Sequence, residues 1–146
     1  NLGSALQAAG IAAELIELQN GPCDLACIYD AKCGVGNYSP LFNPLTYKPH
    51  KAYYAFVAFN ELRKLATAVK VSVADGEGVC AAAARRGNEA AIFLANDTDA
   101  SVPIECAFGG WTVSACRITD AVRTHEFCDV PSVFPAHSFV ILSLKR

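Results

Sequence analysis

Asp24-Leu25-Ala26-Cys27-Ile28-Tyr29-Asp30 is the stretch on which the fold reading turns. It sets four successive apolar residues, then a tyrosine, between two carboxylates. The run is short for a helix and shows no polar alternation. It predicts a strand buried on both faces, the kind found in parallel sheets covered by helices. One such strand cannot make a sheet, because both its edges would leave backbone N–H and C=O groups unpaired. Neighbouring strands are therefore expected from residues outside this chain.

The flanks agree with an α-β-α unit of an α/β fold. Upstream, Ser4 followed by Gln7 makes a capping box at the start of an apolar run that reaches Leu18. Leu6, Ala9, Ala13 and Ile16 share one helical face, Ala5, Ala8, Ala12, Leu15 and Leu18 cover much of the remainder, and only Glu14 and Glu17 require solvent. A helix this broadly apolar needs neighbours on more than one side. Asn20-Gly21-Pro22 ends it. Downstream, Ala31–His50 reads as a long loop rich in Gly, Pro, Asn and Tyr, and long loops in compact domains tend to carry function. A second helix is predicted over Lys51–Ala66, with Tyr53, Phe56, Val57 and Asn60 on one face.

Near residue 67 the pattern changes. Short β-type runs follow at Val69–Ala74, Val79–Arg85, Ala90–Ala95, Ser101–Phe108, Thr112–Thr119, Thr124–Asp129 and Ser138–Leu144. Turn chemistry separates them, as at Arg86-Gly87-Asn88 and Gly109-Gly110. Val102, Ile104, Cys106 and Phe108 alternate with polar or small residues. Seven such runs predict an all-β antiparallel β-sandwich. The expected organisation is thus residues 1–66 as an α/β piece and residues 67–146 as the sandwich.

Composition narrows the function classes. The net charge is -2 and the 12 Lys and Arg are scattered, with no basic stripe for a phosphate backbone, so no nucleic-acid partner is expected. No uncharged apolar run approaches the roughly 18 residues of a membrane span. The 53% apolar and 18% charged content speaks for a packed core. The chain starts at Asn1 and contains no Met, which suggests a piece of a longer protein. Seven Cys at uneven spacings, most inside apolar runs, read as buried free thiols in a reducing compartment such as the cytoplasm. No Cys–His cluster has metal-ligand spacing, so no metal and no cofactor are expected.

Ala8-Ala9-Gly10-Ile11-Ala12-Ala13-Glu14-Leu15, Leu18-Gln19-Asn20, Tyr29-Asp30-Ala31, Leu41-Phe42-Asn43-Pro44-Leu45-Thr46 and Lys48-Pro49-His50-Lys51-Ala52-Tyr53-Tyr54-Ala55-Phe56 carry a resemblance. Together they resemble the end of the catalytic barrel in bacterial glycoside hydrolases similar to family 39, the β-xylosidase and α-iduronidase group. The resemblance implies that residues 1–66 are the last α-β-α of a TIM-type (β/α)8 barrel, with residues 24–30 as its eighth strand. It implies that residues 67–146 are an accessory β-sandwich. The implied activity is glycosidic hydrolysis with retention, by two carboxylates about 5–5.5 Å apart. Both would lie upstream of Asn1, so the fragment alone is expected to be inactive and to meet its carbohydrate substrate through the rest of the parent chain.

Active sites of such barrels sit at the C-terminal ends of the strands. Tyr29 and Asp30, with loop residues Lys32, Asn37 and Tyr38, are accordingly the candidate substrate-lining residues. Asn43 and Thr46 read as an Asx-type turn, His50 as a cap or surface residue, and Trp111 as a hairpin side chain folded over the sheet. The Asp97–Asp99 pair lacks the later Gly and Glu of a calcium loop and reads as a turn. The alternative function is a non-catalytic carbohydrate-binding or interaction module built on the sandwich.

Overall fold

The computed structural model describes residues 2–28, 41–74 and 78–146. Helix α1 spans Ala5–Asn20 and helix α2 spans Lys51–Leu65. Half of the capping box forms: the Gln7 amide donates to Ser4 Oγ at 3.2 Å, whereas Gln7 Oε1 accepts from the Gly3 amide, one residue before the cap, at 2.8 Å. The Gly21 amide closes the helix on Glu17 O. α2 ends where Ala66 turns to the left-handed region at φ 67°.

The strands follow in order: β1 Thr67–Val69, β2 Val79–Arg86, β3 Glu89–Asn96, β4 Val102–Pro103, β5 Thr112–Thr119, β6 Glu126–Phe127, β7 Val133–Phe134 and β8 Ser138–Lys145. Six of them form one antiparallel sheet in the order β1-β2-β3-β8-β5-β6, and β4 pairs with β7 in a separate layer. A β-strand sends alternate side chains to opposite faces, and here both faces are covered. Ala82, Ala84, Ala91, Phe93, Ala95, Phe139 and Ile141 face Ala8, Ala12 and Ile16 of α1 and Ala52, Ala55, Ala58 and Leu62 of α2. Ala81, Leu94, Cys116, Ile118, Val140, Leu142 and Leu144 face Phe134, with Val102, Ile104, Cys106 and Phe108 packed alongside. The result is two helices, a six-stranded antiparallel sheet and a thin second β layer, in keeping with a β-sandwich.

Three expectations are corrected. The first concerns Asp24–Asp30. Its described part, residues 24–28, forms no strand, and the whole segment Gly21–Ile28 is exposed, with Leu25 at 82%. The physical reason is partnership: no described strand lies beside it to pair its backbone or cover its side chains. A second correction concerns what α1 and α2 cover, which is the antiparallel sheet of this same chain and not strands from outside it. Their small faces fit it closely. Ala8, Ala9, Ala12, Ala52, Ala55 and Ala58 are almost wholly buried, and alanines let helix and sheet backbones approach. The third is Cys23 and Cys27, which are exposed, whereas Cys116 is buried and Cys80, Cys106 and Cys128 are half-buried.

Three of the predicted strands are shorter than expected. The Val69–Ala74 run supplies only the end of β1, Ser101–Phe108 supplies only β4, and Thr124–Asp129 supplies only β6. Residues 101–108 nevertheless keep strict alternation, even-numbered side chains inward and odd-numbered ones exposed.

Candidate functional site

The candidate substrate-lining residues Tyr29, Asp30, Lys32, Asn37 and Tyr38 lie outside the described residues. What the structure places is the segment that follows them, Leu41–His50, and the surface it leads into. Asn43 organises this loop. Its Oδ1 accepts from the amides of Leu45 at 3.0 Å and Thr46 at 2.9 Å, the expected Asx turn. Its backbone N–H donates to Lys48 O and its C=O accepts from the Tyr47 amide, both at 2.8 Å. The His50 amide returns to Leu41 O at 2.8 Å, which brings Phe42 against the start of α2.

From Phe42 a chain of rings crosses the molecule. Phe42 and Tyr53 lie 5.3 Å apart between centroids, Tyr53 and Tyr54 meet edge to face at 5.5 Å, and Tyr54 stacks on His125 at 5.2 Å. These separations and tilts are the preferred arrangements of aromatic pairs. All four rings are half-buried. The chain thus joins the loop, the first turn of α2 and the β5–β6 turn.

The β5–β6 turn is built on Asp120, which is almost fully buried. Its Oδ1 accepts from the amides of Val122 at 3.0 Å and Arg123 at 2.7 Å, and its Oδ2 accepts from Arg123 Nε at 2.8 Å. Burial alone would raise this carboxyl, but the donation from the Arg123 guanidinium and the two amides holds it below its ordinary value. Lys51, the first residue of α2, donates through Nζ to Arg123 O at 2.7 Å and Thr124 Oγ1 at 2.9 Å. Burial lowers its pKa, opposed by Asp120 and Glu126. His125 takes φ 55° and donates its amide to Thr119 Oγ1 at 2.9 Å. Its imidazole is held below the ordinary range by burial first and by the Arg117 charge second, while Glu61 acts the other way. At neutral pH the ring is uncharged.

Just beyond it Phe127 is 71% exposed, with the Arg117 guanidinium 4.2 Å above its ring. This surface can present flat apolar faces with hydrogen-bonding groups beside them. Asp120 is committed to Arg123, Glu61 to Lys64 at 2.9 Å, and Glu14 and Glu17 face solvent from α1. Among the described residues no group of three or more His, Cys, Asp or Glu is placed to hold a metal ion, and no helix is long and apolar enough to cross a membrane. A cavity of about 1130 Å³ between the main sheet and the β4–β7 layer is lined chiefly by Val79, Leu94, Val102, Ile104, Phe108 and Leu142. Its apolar walls offer little to a sugar.

His50 stands at the N-cap of α2 without a side-chain capping bond, and its Nδ1 is buried with no hydrogen-bond partner among the described residues. Trp111 is half-buried against the sheet, with the Arg146 guanidinium 5.3 Å from its ring centroid. The Tyr54–His125 contact was not legible in the sequence. Seventy residues lie between the pair, and no local pattern couples a helix start to a distant turn.

No family model matches the sequence, and neither does any curated protein. Solved structures do match. A xylanase of glycoside hydrolase family 30 subfamily 8 from Clostridium acetobutylicum aligns over 100% of this chain and 40% of its own, with a TM-score of 0.77 at 15% identity. A family 30 endoxylanase from Clostridium papyrosolvens aligns over the same shares with a TM-score of 0.73 at 15% identity. A glucosidase from Croceicoccus marinus aligns over 98% of this chain and 43% of its own, with a TM-score of 0.68 at 15% identity. The chain spans about two fifths of the length of the solved structures it matches. Its fold, two helices on a sheet-and-strand sandwich taken as one unit, is one that these glycoside hydrolases contain.

Proposed function

We propose that this chain is the C-terminal part of a glycoside hydrolase whose catalytic carboxylates lie upstream of Asn1. The observation that carries this reading is the whole-chain structural match to part of a xylanase. In the proposed parent, α1 and α2 are the last helices of a (β/α)8 barrel, and the rest of the chain is the accessory sandwich. The exposed Leu25, Ala26 and Ile28 fit a barrel strand deprived of its neighbours, which would cover them in the parent. Tyr29, Asp30, Lys32, Asn37 and Tyr38 then belong at the C-terminal face of the barrel, against the sugar. The reaction is xylosidase-like hydrolysis with retention, through a covalent glycosyl intermediate on one upstream carboxylate.

The test compares two proteins on aryl β-xylosides and on xylan: this chain alone, and the product of the full reading frame that contains it. Turnover by the longer product and none by this chain is the expected result. A longer product that folds and is inert on every glycoside tried would overturn the reading. A second reading, a carbohydrate-binding module, draws on Phe127 and the Arg117 guanidinium above it. It predicts retardation of this chain alone in gels containing soluble xylan, abolished by Phe127→Ala.

A further inference from the structure

Cys116 and Cys128 are twelve residues apart in sequence and face each other across two strands. Arg117 pairs with Phe127 and Ile118 with Glu126 between β5 and β6. One more step of that register sets Cys116 opposite Cys128, and the Cys128 amide donates to Cys116 O at 3.1 Å. Directly opposed residues joined in this way have Cα atoms about 5.5 Å apart. That lies within the roughly 4.4–6.8 Å that a disulfide spans. Both side chains lie on the face turned toward Phe134, and their Sγ atoms are 3.4 Å apart. Closing to a bond of about 2.05 Å needs a shift of little more than an ångström, within reach of side-chain rotation.

We infer that Cys116 and Cys128 form a redox-responsive pair, which closes to a disulfide on exposure to a low-molecular-weight disulfide of the oxidised-glutathione type. Access sets the order of events. Cys128 is half-buried and within reach of solvent, whereas Cys116 is 3% exposed. Cys128 loses its proton to solvent, and its thiolate attacks one sulfur of the oxidant. The oxidant's S–S bond breaks, one thiol leaves, and Cys128 carries a mixed disulfide. Cys116 then gives up its proton and attacks Cys128 Sγ, expelling the second thiol. Two protein thiols are oxidised and one small disulfide is reduced to two thiols, so electrons and protons balance. Burial and the Cys128 hydrogen bond push the Cys116 thiol up to about 12, so the second step is the slower one and quickens as pH rises.

The closed bond ties β6 to β5 and encloses residues 117–127. That loop contains the Asp120 turn and His125, which abuts α2. The pair therefore controls how firmly the turn is held, independently of any reading of the protein's activity. Uneven spacing hid it in the sequence, because only the strand register brings the two thiols together.

The test is oxidation of the folded full chain with oxidised glutathione, followed by blocking of free thiols, trypsin digestion without reduction, and mass spectrometry. Cleavage after Arg86, Arg117, Arg123 and Lys145 places Cys116 in peptide 87–117 and Cys128 in peptide 124–145. The expected product is those two peptides cross-linked, still formed in Cys106→Ser, which removes the other thiol of peptide 87–117, and lost in Cys128→Ser. Oxidation should also raise the thermal midpoint of the wild-type chain by roughly 5–10 °C. A glutathione adduct that persists on Cys128, a cross-link that vanishes in Cys106→Ser, or Cys128 recovered unmodified while exposed Cys23 and Cys27 react would each overturn the inference. If a variant fails to fold, fragmentation of the cross-linked wild-type peptides decides the matter, because it shows whether Cys106 or Cys116 carries the thiol-blocking group.

Discussion

Tyr54, in the first turn of α2, stacks on His125, in the β5–β6 turn, with ring centroids 5.2 Å apart and planes inclined by 22°. Beside them Lys51 Nζ caps two acceptors of the same turn, Arg123 O and Thr124 Oγ1. The helix is thus fastened to the far edge of the sheet by one stacked pair and one cation, with the neutral state of His125 as a condition.

Acid should loosen the junction. Burial, with Arg117, holds folded His125 below its ordinary 6.5. The unfolded chain therefore binds more protons as pH falls through about 6.5, and stability is lost from there down to the folded value. Above that window the contribution is fully present. Urea midpoints between pH 7.5 and 5 should fall for the wild-type chain, and His125→Phe, which keeps a stacking ring without a titrating proton, should flatten the curve. A wild-type midpoint that rises toward pH 5 would contradict this.

Asn96 should be among the costliest polar residues to remove. Its side chain is fully buried, and Nδ2 lies within hydrogen-bond reach of the carbonyls of Ala100 at 2.9 Å, Phe134 at 3.2 Å and Pro135 at 2.9 Å. Oδ1 accepts from the Thr98 amide and hydroxyl at 3.1 and 2.7 Å. Asn96→Ala leaves this set unpaired at the end of β3 and should lower unfolding free energy by about 3 kcal/mol. Chemical denaturation of the two proteins reads the difference directly, and a loss under about 1 kcal/mol would show that water replaces the amide.

Removing α1 and α2 should expose the sheet rather than release a tidy module. Residues 67–146 alone would uncover Ala82, Ala84, Phe93, Phe139 and Ile141, a contiguous apolar face. Binding of the dye anilinonaphthalene sulfonate should rise severalfold over that of the whole chain. A dye-silent piece with a sharp unfolding transition would show that the sheet needs only its β4–β7 side.

Asp30→Ala, made in the proposed longer enzyme, should lower kcat/KM roughly tenfold to a hundredfold with the melting temperature unchanged. That is the cost of about 1.5–3 kcal/mol for one charge-assisted hydrogen bond to a sugar hydroxyl that strengthens in the transition state. Normal turnover with a lowered melting temperature would instead make Asp30 a structural residue.

Local signals in the sequence determine the structure where a short range decides the outcome. Ser4 and Gln7 marked the start of α1, Asn20-Gly21 its end, and Asn43 its turn, because each acts on residues two to four positions away. The runs at 79–85, 90–95, 112–119 and 138–144 became β2, β3, β5 and β8 to within a residue or so. Alternation from Val102 to Phe108 correctly gave an extended segment with one buried side, yet only Val102–Pro103 pairs. Side-chain periodicity reports which face is wet, whereas a ladder needs a second strand at the right place. The same gap explains residues 24–28, whose apolar run implies burial only if something is there to bury it. It also explains Tyr54 with His125 and Cys116 with Cys128, whose meetings depend on register and helix placement.

The position of β8 has a bearing on synthesis. Residues 138–145 lie between β3 and β5, paired with both, and carry side chains into both cores through Phe139 and Ile141 on one face and Val140 and Leu142 on the other. A growing chain that has not yet passed Lys145 holds two sheet halves with no common neighbour and two hydrophobic layers with no shared wall. Glu89 meets Lys145 only after the 55 positions between them have been made, a pairing of high contact order. Until β8 is made, β3 and β5 each keep an unpaired edge open to other chains, so the interval before residue 145 is synthesised carries an aggregation risk for this fold.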